Sequence, residues 1–213
     1  MNANIANIRT EYKLKSLSEN DVKADAIEQF TEWWNEALQS EIYEVNAMTL
    51  ATADKNGMPA ARIVLLKDYN AEGFVFFTNY ASKKGDDIAE NPNACLLFFW
   101  KELERQVRIN GTIEKINATD SDAYFNSRPE GSKIGAHTSP QSKPIVNREF
   151  LENRYLELSE AFKEKDIPRP ENWGGYVVKP TNIEFWQGRP SRLHDRILFT
   201  KTNDSWKIER LAP

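Results

Sequence analysis

Between residues 47 and 79 the chain alternates short β-rich runs with tight turn signals, and no other feature restricts its fold as strongly. Ala47 to Ala53 is followed by Asp54-Lys55-Asn56-Gly57, Ala60 to Lys67 by Asn70-Ala71-Glu72-Gly73, and Phe74 to Asn79 comes next. Asn-Gly and Glu-Gly put glycine where a hairpin turn needs positive φ, which predicts consecutive antiparallel strands. A parallel, doubly wound sheet is disfavoured, because it needs a long crossover between each pair of strands.

The pattern continues downstream. Ala94 to Trp100 and Gln106 to Ile116 read as a strand pair around the charged turn Lys101-Glu102-Leu103-Glu104. Three more runs, Gly175 to Val178, Ile183 to Gln187 and Arg196 to Leu211, close the chain, the last turning at Thr202-Asn203-Asp204-Ser205. Helical spacing appears between and before these runs. Val22, Ala26, Ile27, Phe30, Trp33, Trp34, Ala37 and Leu38 recur at i, i+3, i+4, and Phe150, Leu151, Tyr155, Leu158 and Phe162 do so within Asn147 to Lys165. A short polar helix from Ser82 to Glu90 stops at Asn91-Pro92; another, Thr119 to Ser127, has Thr119 as N-cap and Pro129 as its end. A Ser/Pro/Gly-containing loop is expected after it. These signals predict a mainly β fold, a β-barrel with peripheral helices. At 213 residues one domain over 21–213 is expected, behind a flexible arm of residues 1–20.

Charge and composition limit the partners. A formal charge of -4 leaves no broad cationic face, so neither nucleic acid nor a membrane surface is expected, and any anion site must be local. The N-terminus lacks a secretory apolar core and no run is long enough to span a bilayer, which predicts a cytoplasmic protein. Cys95, the one cysteine, lies in an apolar run and reads as a buried small hydrophobe. Two histidines and one cysteine, far apart, offer no metal-ligand spacing, so no metal is expected.

Several short segments carry chemistry. Arg62 and Lys67 bracket the apolar run Ile63-Val64-Leu65-Leu66; an odd separation puts them on opposite faces of a regular strand, and by itself the pattern is better accounted for by exposed strand ends. Thr78 to Gly85 runs from a strand into a helix start with hydroxyls, backbone N–H groups and the cations Lys83 and Lys84, a ready phosphate site or an ordinary helix start with solvated lysines. Gln106 begins a strand with an amide able to read a polar ring edge, though a glutamine in a sheet is far more often structural. Tyr124 and Arg128 stand at i, i+4 with Ser132 just beyond, able to hold a second phosphate or to form a plain surface pair. Finally, Arg192, His194 and Arg196 alternate at strand spacing behind Trp186, so that all three can share one face toward an anionic, planar ligand; a solvated edge strand is the competing account.

In order and wording these segments resemble the pyridoxamine 5'-phosphate oxidase family. The resemblance rests on R-I-V-L-L-K at 62–67, F-F-T-N-x-x-S-K-K at 76–84, E-R-Q-V at 104–107, Y-F-N-S-R-P at 124–129, Q-S at 141–142, W-G-G at 173–175 and E-F-W-Q-G with R-L-H-D-R at 184–196. It implies a split β-barrel homodimer with FMN at the subunit interface, oxidising pyridoxamine and pyridoxine 5'-phosphates to pyridoxal 5'-phosphate with dioxygen. The implied FMN residues are Arg62, Ile63, Val64, Leu65, Leu66, Lys67, Phe77, Thr78, Lys83, Lys84, Gln106, Gln141, Ser142, Trp186 and Arg196, with Gln141 and Ser142 supplied by the other subunit. The implied substrate residues are Arg9, Tyr12, Lys67, Tyr124, Arg128, Ser132, Arg192 and His194, of which Arg192 and His194 orient the ring beside the reacting carbon. Lys83 stands where the family often has Arg, trading a bidentate fork for a point charge. Two other readings share the barrel: a non-catalytic flavin- or pyridoxal-phosphate-binding protein, and an oxidase of another substrate such as a phenazine precursor.

Overall fold

The computed structural model describes residues 5, 7, 8, 10–203 and 205–213. Nine strands and five helices of at least two turns are present among them: α1 (Ala26–Gln39), β1 (Ala47–Ala53), β2 (Pro59–Leu65), β3 (Asp68–Asn70), β4 (Gly73–Asn79), α2 (Lys83–Glu90), β5 (Asn93–Trp100), β6 (Arg105–Lys115), α3 (Ala118–Ser127), α4 (Glu130–Thr138), α5 (Arg148–Ala161), β7 (Trp173–Gln187), β8 (Asp195–Lys201) and β9 (Trp206–Arg210). Hydrogen-bonded neighbours run β2-β1-β5-β6-β7-β4-β3, with β8 on β7 and β9 on β8. Among the described residues no helix is long and apolar enough to cross a membrane.

The chain divides into two compact units. One comprises Met1–Leu50, Cys95–Gly111 and Pro180–Pro213; the other comprises Ala51–Ala94 and Thr112–Lys179. In the first, Asp25 caps α1 by accepting from Ile27 N at 2.7 Å and Glu28 N at 3.0 Å, so the apolar face starts in register. That face buries Ala26, Phe30, Trp33 and Ala37; Val22 precedes the helix and Leu38 is exposed. Phe30 lies 5.4 Å from Phe98, Trp33 packs edge-on to Phe185 at 5.2 Å, and Arg105 stacks 4.1 Å over Trp33. Each such aromatic burial contributes roughly 1.5–3 kcal/mol. Cys95 is only half-buried, and burial pushes its thiol pKa up.

In the second unit Phe125, Ile134, Ile167 and Trp173 form the core beneath α3, α4 and α5. Four local readings are corrected here or along the strands. Asn117, not Thr119, caps α3, accepting from Asp120 N at 2.8 Å. The expected loop after Pro129 is the helix α4; glycines at 131 and 135 hid it, and burial of Ile134 in the core outweighs their poor propensity. The run 60–67 does not hairpin with 74–79, because the short strand β3 intervenes and pairs Tyr69 with Phe74. Residues 175–178 and 183–187 belong to the single strand β7, which pairs with β4 through Val178 and with β8 from Asn182. Pro180 falls between those two ladders, where its missing N–H breaks neither of them.

Candidate active site

Strand β2, the β4–α2 turn, helices α3 and α4 and the segment after α4 surround a cleft of about 870 Å³ in the second unit. Its lining includes Arg62, Ile63, Val64, Leu65, Lys67, Phe77, Thr78, Lys83, Lys84, Tyr124, Arg128, Ser132, Gln141 and Ser142. Fourteen residues singled out from sequence thus meet here, drawn from five separate segments. Leu66 does not; its side chain is buried in the core. Arg62 and Lys67 share the cleft despite their odd separation, because β2 ends at Leu65 and Lys67 lies beyond strand geometry.

Hydroxyl and ammonium side chains are concentrated at the β4–α2 turn. Asn79 closes that turn, its side chain accepting from Ala81 N at 2.8 Å and its carbonyl from Ser82 Oγ at 2.7 Å. At Gly85 an added Cβ would stand 1.9 Å from the Tyr80 carbonyl oxygen, so only glycine lets helix and strand approach this closely. Lys84 is buried, and its Nζ donates to Thr78 Oγ1 and Ser82 Oγ at 3.1 Å and to Gln141 Oε1 at 3.3 Å, all neutral acceptors. Burial and then the Arg62 charge hold the Lys84 pKa below its ordinary value. The expectation that Gln141 comes from the other subunit is corrected: within one chain it already reaches Lys84 and Thr78.

Asp87, one turn along α2, was not foreseen as part of this site. It is buried, accepts from Thr52 Oγ1 at 2.8 Å, pairs with Lys83, and lies 3.8 Å from Arg62 Nη2. Burial raises its pKa, but the bonds from Lys83 and Thr52 outweigh that and keep it below the usual carboxylate range. Arg62 Nη1 donates to Thr52 Oγ1 at 2.7 Å, so Thr52 and Asp87 together orient the guanidinium. The i,i+4 spacing of Lys83 and Asp87 was the available signal.

The other end of the cleft is aromatic and cationic. Phe77 and Tyr124 stack with centroids 3.8 Å apart, and Arg128 Cζ sits 4.6 Å over the Trp173 ring. Arg128 Nη1 is buried with no hydrogen-bond partner, and burial lowers the Arg128 pKa. Five cations, Arg62, Lys67, Lys83, Lys84 and Arg128, therefore line one cleft whose described lining includes no carboxylate. Asp87 offsets Lys83 and Arg62, but Lys84 bonds only to neutral oxygens and Arg128 Nη1 to nothing, so the cleft favours an anion.

The remaining predicted residues lie in the first unit. Gln106, Arg108, Glu184, Trp186, His194 and Arg196 line a cavity of about 240 Å³ with Leu97 and Pro213. Trp186 and Arg196 are cross-strand partners in the β7–β8 ladder. Buried Glu184 accepts from Arg196 Nε at 2.7 Å and also pairs with Arg108, while Arg196 Nη1 donates to the Ala212 carbonyl at 2.8 Å. A third cavity, about 850 Å³, lies between Ile8, Thr10, Glu11 and Tyr12 and the segment carrying Arg189, Ser191, Arg192 and His194. Arg9 lies outside the described residues.

Regular alternation of Arg192, His194 and Arg196 is not what the chain adopts. Pro190–Arg192 is a single 3₁₀ turn with φ of 56° at Ser191 and 61° at Arg192, and β8 begins only at Asp195. Pro190 and the left-handed pair turn the backbone, so Arg192 and Arg196 line different cavities and His194 lines both. His194 Nδ1 accepts from Arg189 N at 3.1 Å, its ring lies 4.6 Å from Trp186, and Tyr12 stands 5.9 Å away. Burial and then Arg192 lower its pKa against the opposing pull of Asp195.

Residues 34–160 match the family model described as pyridoxamine 5'-phosphate oxidase, and residues 173–213 match that of the pyridoxine 5'-phosphate oxidase C-terminal dimerisation region. The chain belongs to the pyridoxamine 5'-phosphate oxidase family. A pyridoxine/pyridoxamine 5'-phosphate oxidase of Cyanothece sp. is 51% identical over 213 residues, covering 100% of both chains. Another, of Polynucleobacter asymbioticus, is 55% identical over 209 residues, covering 98% of this chain and 99% of its own. With its full length covered by such relatives, the chain is an oxidoreductase of this family. Among solved structures, PhzG from Burkholderia lata 383, in complex with tetrahydrophenazine-1-carboxylic acid, superposes with a TM-score of 0.89 at 26% identity, over 96% of this chain and 100% of that one. An FMN binding protein of Nostoc punctiforme, related to the family, shares the fold with a TM-score of 0.67 at 18% identity, over 86% of this chain and 95% of that one. The fold is thus the mainly β split barrel of this family, with peripheral helices.

Proposed function

We propose that this chain is an FMN-dependent oxidase that converts pyridoxamine 5'-phosphate and pyridoxine 5'-phosphate to pyridoxal 5'-phosphate, working as a homodimer with FMN at the subunit interface. The observation that carries the reading is the five-cation cleft in which Asp87 offsets only Lys83 and Arg62, while Lys84 meets only neutral oxygens and Arg128 Nη1 is buried without an acceptor. A cofactor and a substrate that each bear a phosphate supply the missing anions, so the donor set fits both.

Arg62, Thr78, Lys84 and Gln141, with Lys83 and Ser142 beside them, hold the cofactor phosphate. Lys67, Tyr124, Arg128 and Ser132 grip the substrate phosphate, and Gln106 and Trp186 border the flavin ring. FMN, when bound, would accept a hydride equivalent from the substrate C4' carbon while the hydroxyl or amino group gives up a proton, and dioxygen would take up the two electrons and two protons as hydrogen peroxide. The alcohol gives the aldehyde directly; the imine from the amine adds water and releases ammonia. Arg196, held by Glu184, contributes a fixed cation that favours negative charge developing nearby. His194, its Nδ1 filled by the Arg189 N–H, carries its proton on Nε2 at neutral pH and orients the substrate ring by donation. Arg192 lines the cavity beside it and serves the same end.

An unphosphorylated substrate, such as a phenazine precursor, would leave the buried Arg128 Nη1 without an acceptor, which disfavours that reading. The direct test is to purify the protein, record a yellow flavin spectrum, add each phosphate ester under air, and follow aldehyde and peroxide. Peroxide and aldehyde in equal amounts support the oxidase; bound flavin with no turnover of either ester leaves the non-catalytic binding protein.

A further inference from the structure

The stretch that leads into α1 is held by a residue with no assigned part in the site. Lys13 N and Leu14 N both donate to Glu104 Oε2, at 2.8 and 3.0 Å. Glu104 is itself pinned. It adopts the left-handed conformation at φ 54°, and its carbonyl accepts from Gly188 N at 2.8 Å and Gln187 Nε2 at 3.3 Å. Adjacent to this double bond, the Tyr12 ring lies 5.8 Å edge-on to Trp186 and packs on Gly188, where an added Cβ would stand 2.7 Å from Tyr12 Cγ. Residues 10–12 then form one wall of the 850 Å³ cavity whose other wall carries Arg189, Arg192 and His194.

We propose that Glu104 is a positioning residue that seats residues 12–14, and that this seat, completed by the bare backbone of Gly188, sets the affinity for substrate rather than the rate of its oxidation. The proposal rests on the oxidase reading for its kinetic consequence. Two adjacent N–H groups converging on one carboxylate oxygen form a directional clamp, since an ionised acceptor roughly doubles the strength of such bonds. Losing it frees the tyrosine wall while Arg192, His194 and the phosphate cleft keep their places.

The test compares Glu104→Ala, Glu104→Gln and Gly188→Ala with the wild type, using amide hydrogen exchange on the full-length protein and steady-state kinetics with pyridoxine 5'-phosphate. In Glu104→Ala, exchange at Lys13 and Leu14 accelerates roughly tenfold and KM rises about tenfold, with kcat within about twofold. Glu104→Gln, whose amide oxygen still accepts, stays within about threefold of the wild type in both readouts. Gly188→Ala raises KM with Glu104 intact, and carries the test should Glu104→Ala fold poorly. Unchanged exchange in Glu104→Ala overturns the proposal. So does faster exchange without a KM increase, a fall in kcat in place of that increase, or a Glu104→Gln protein as impaired as Glu104→Ala. A wild-type protein that oxidises neither ester overturns the oxidase reading instead, and the exchange rates still decide whether Glu104 seats the segment.

Discussion

Replacing Lys84 with Met separates a binding cation from a structural one. The ammonium is buried and bonded to Thr78 Oγ1, Ser82 Oγ and Gln141 Oε1, with no carboxylate among them. After the substitution none of these groups is stranded, because Ser82 Oγ already donates to the Asn79 carbonyl at 2.7 Å and Thr78 Oγ1 to Gln141 Oε1 at 3.4 Å. Methionine matches the length of the aliphatic stem, and a desolvated charge disappears. The apoprotein should therefore change by no more than about 1 kcal/mol, a Tm shift of roughly 2–4 °C in either direction. FMN binding should suffer far more. A charge-assisted bond to a phosphate oxygen is worth about 2–3 kcal/mol, so the FMN Kd should rise roughly 30- to 150-fold. Titration of flavin fluorescence against apoprotein measures the affinity, and thermal unfolding of the apoprotein measures the stability.

The pH dependence of the same group has a definite sign. Burial and Arg62 keep the folded pKa of Lys84 below 10.5, so above that folded value the unfolded chain binds more protons. The apoprotein then gains stability from this group as pH rises through the window, while FMN affinity falls over the same window because the phosphate needs the cation. The reasoning fails if Lys84→Met binds FMN within about threefold of the wild type, or destabilises the apoprotein by more than about 3 kcal/mol, the size expected when a structural charge pair is broken.

Two further outcomes follow from neighbouring groups. His194 is held below its ordinary 6.5 chiefly by burial and by Arg192, so its contribution to stability is complete above 6.5 and is lost as pH falls through the folded value. Protonation also removes the acceptor for Arg189 N, so kcat/KM should drop on the acid side with an apparent pKa below 6.5, and an identical acid limb in His194→Asn would show that another group titrates. Gly85→Ala forces a Cβ to within 1.9 Å of the Tyr80 carbonyl oxygen, which should cost about 1–3 kcal/mol and lower Tm by several degrees, with weaker flavin binding; an unchanged Tm would mean the turn relaxes freely.

Much of this protein is decided over a few residues at a time. The periodicity of Ala26, Phe30, Trp33 and Ala37 under the Asp25 cap makes α1, and β-rich runs between glycine turns make β1, β2 and β4, because propensity, capping and turn chemistry are local forces. The short motifs at 62–67, 76–84, 124–132 and 184–196 likewise named most of the site residues by their chemistry. Local patterns failed where distant contacts outweigh them: α4 forms around buried Ile134 despite its glycines, and β7 runs through Pro180 because two different ladders meet on either side of it. Asp87, Glu104 and Glu184, whose parts were not legible from local pattern, act through groups brought near by folding. Lys84 finds Gln141 across 57 positions, Glu104 finds Lys13 across 91, and Trp186 faces Arg196 through the register of β7 on β8. The sequence by itself determined which side chains can bind a phosphate and where strands and turns begin. Only the tertiary structure decided which of them meet, because convergence depends on strand register and on backbone turns such as Pro190–Arg192 whose geometry is set by packing far along the chain.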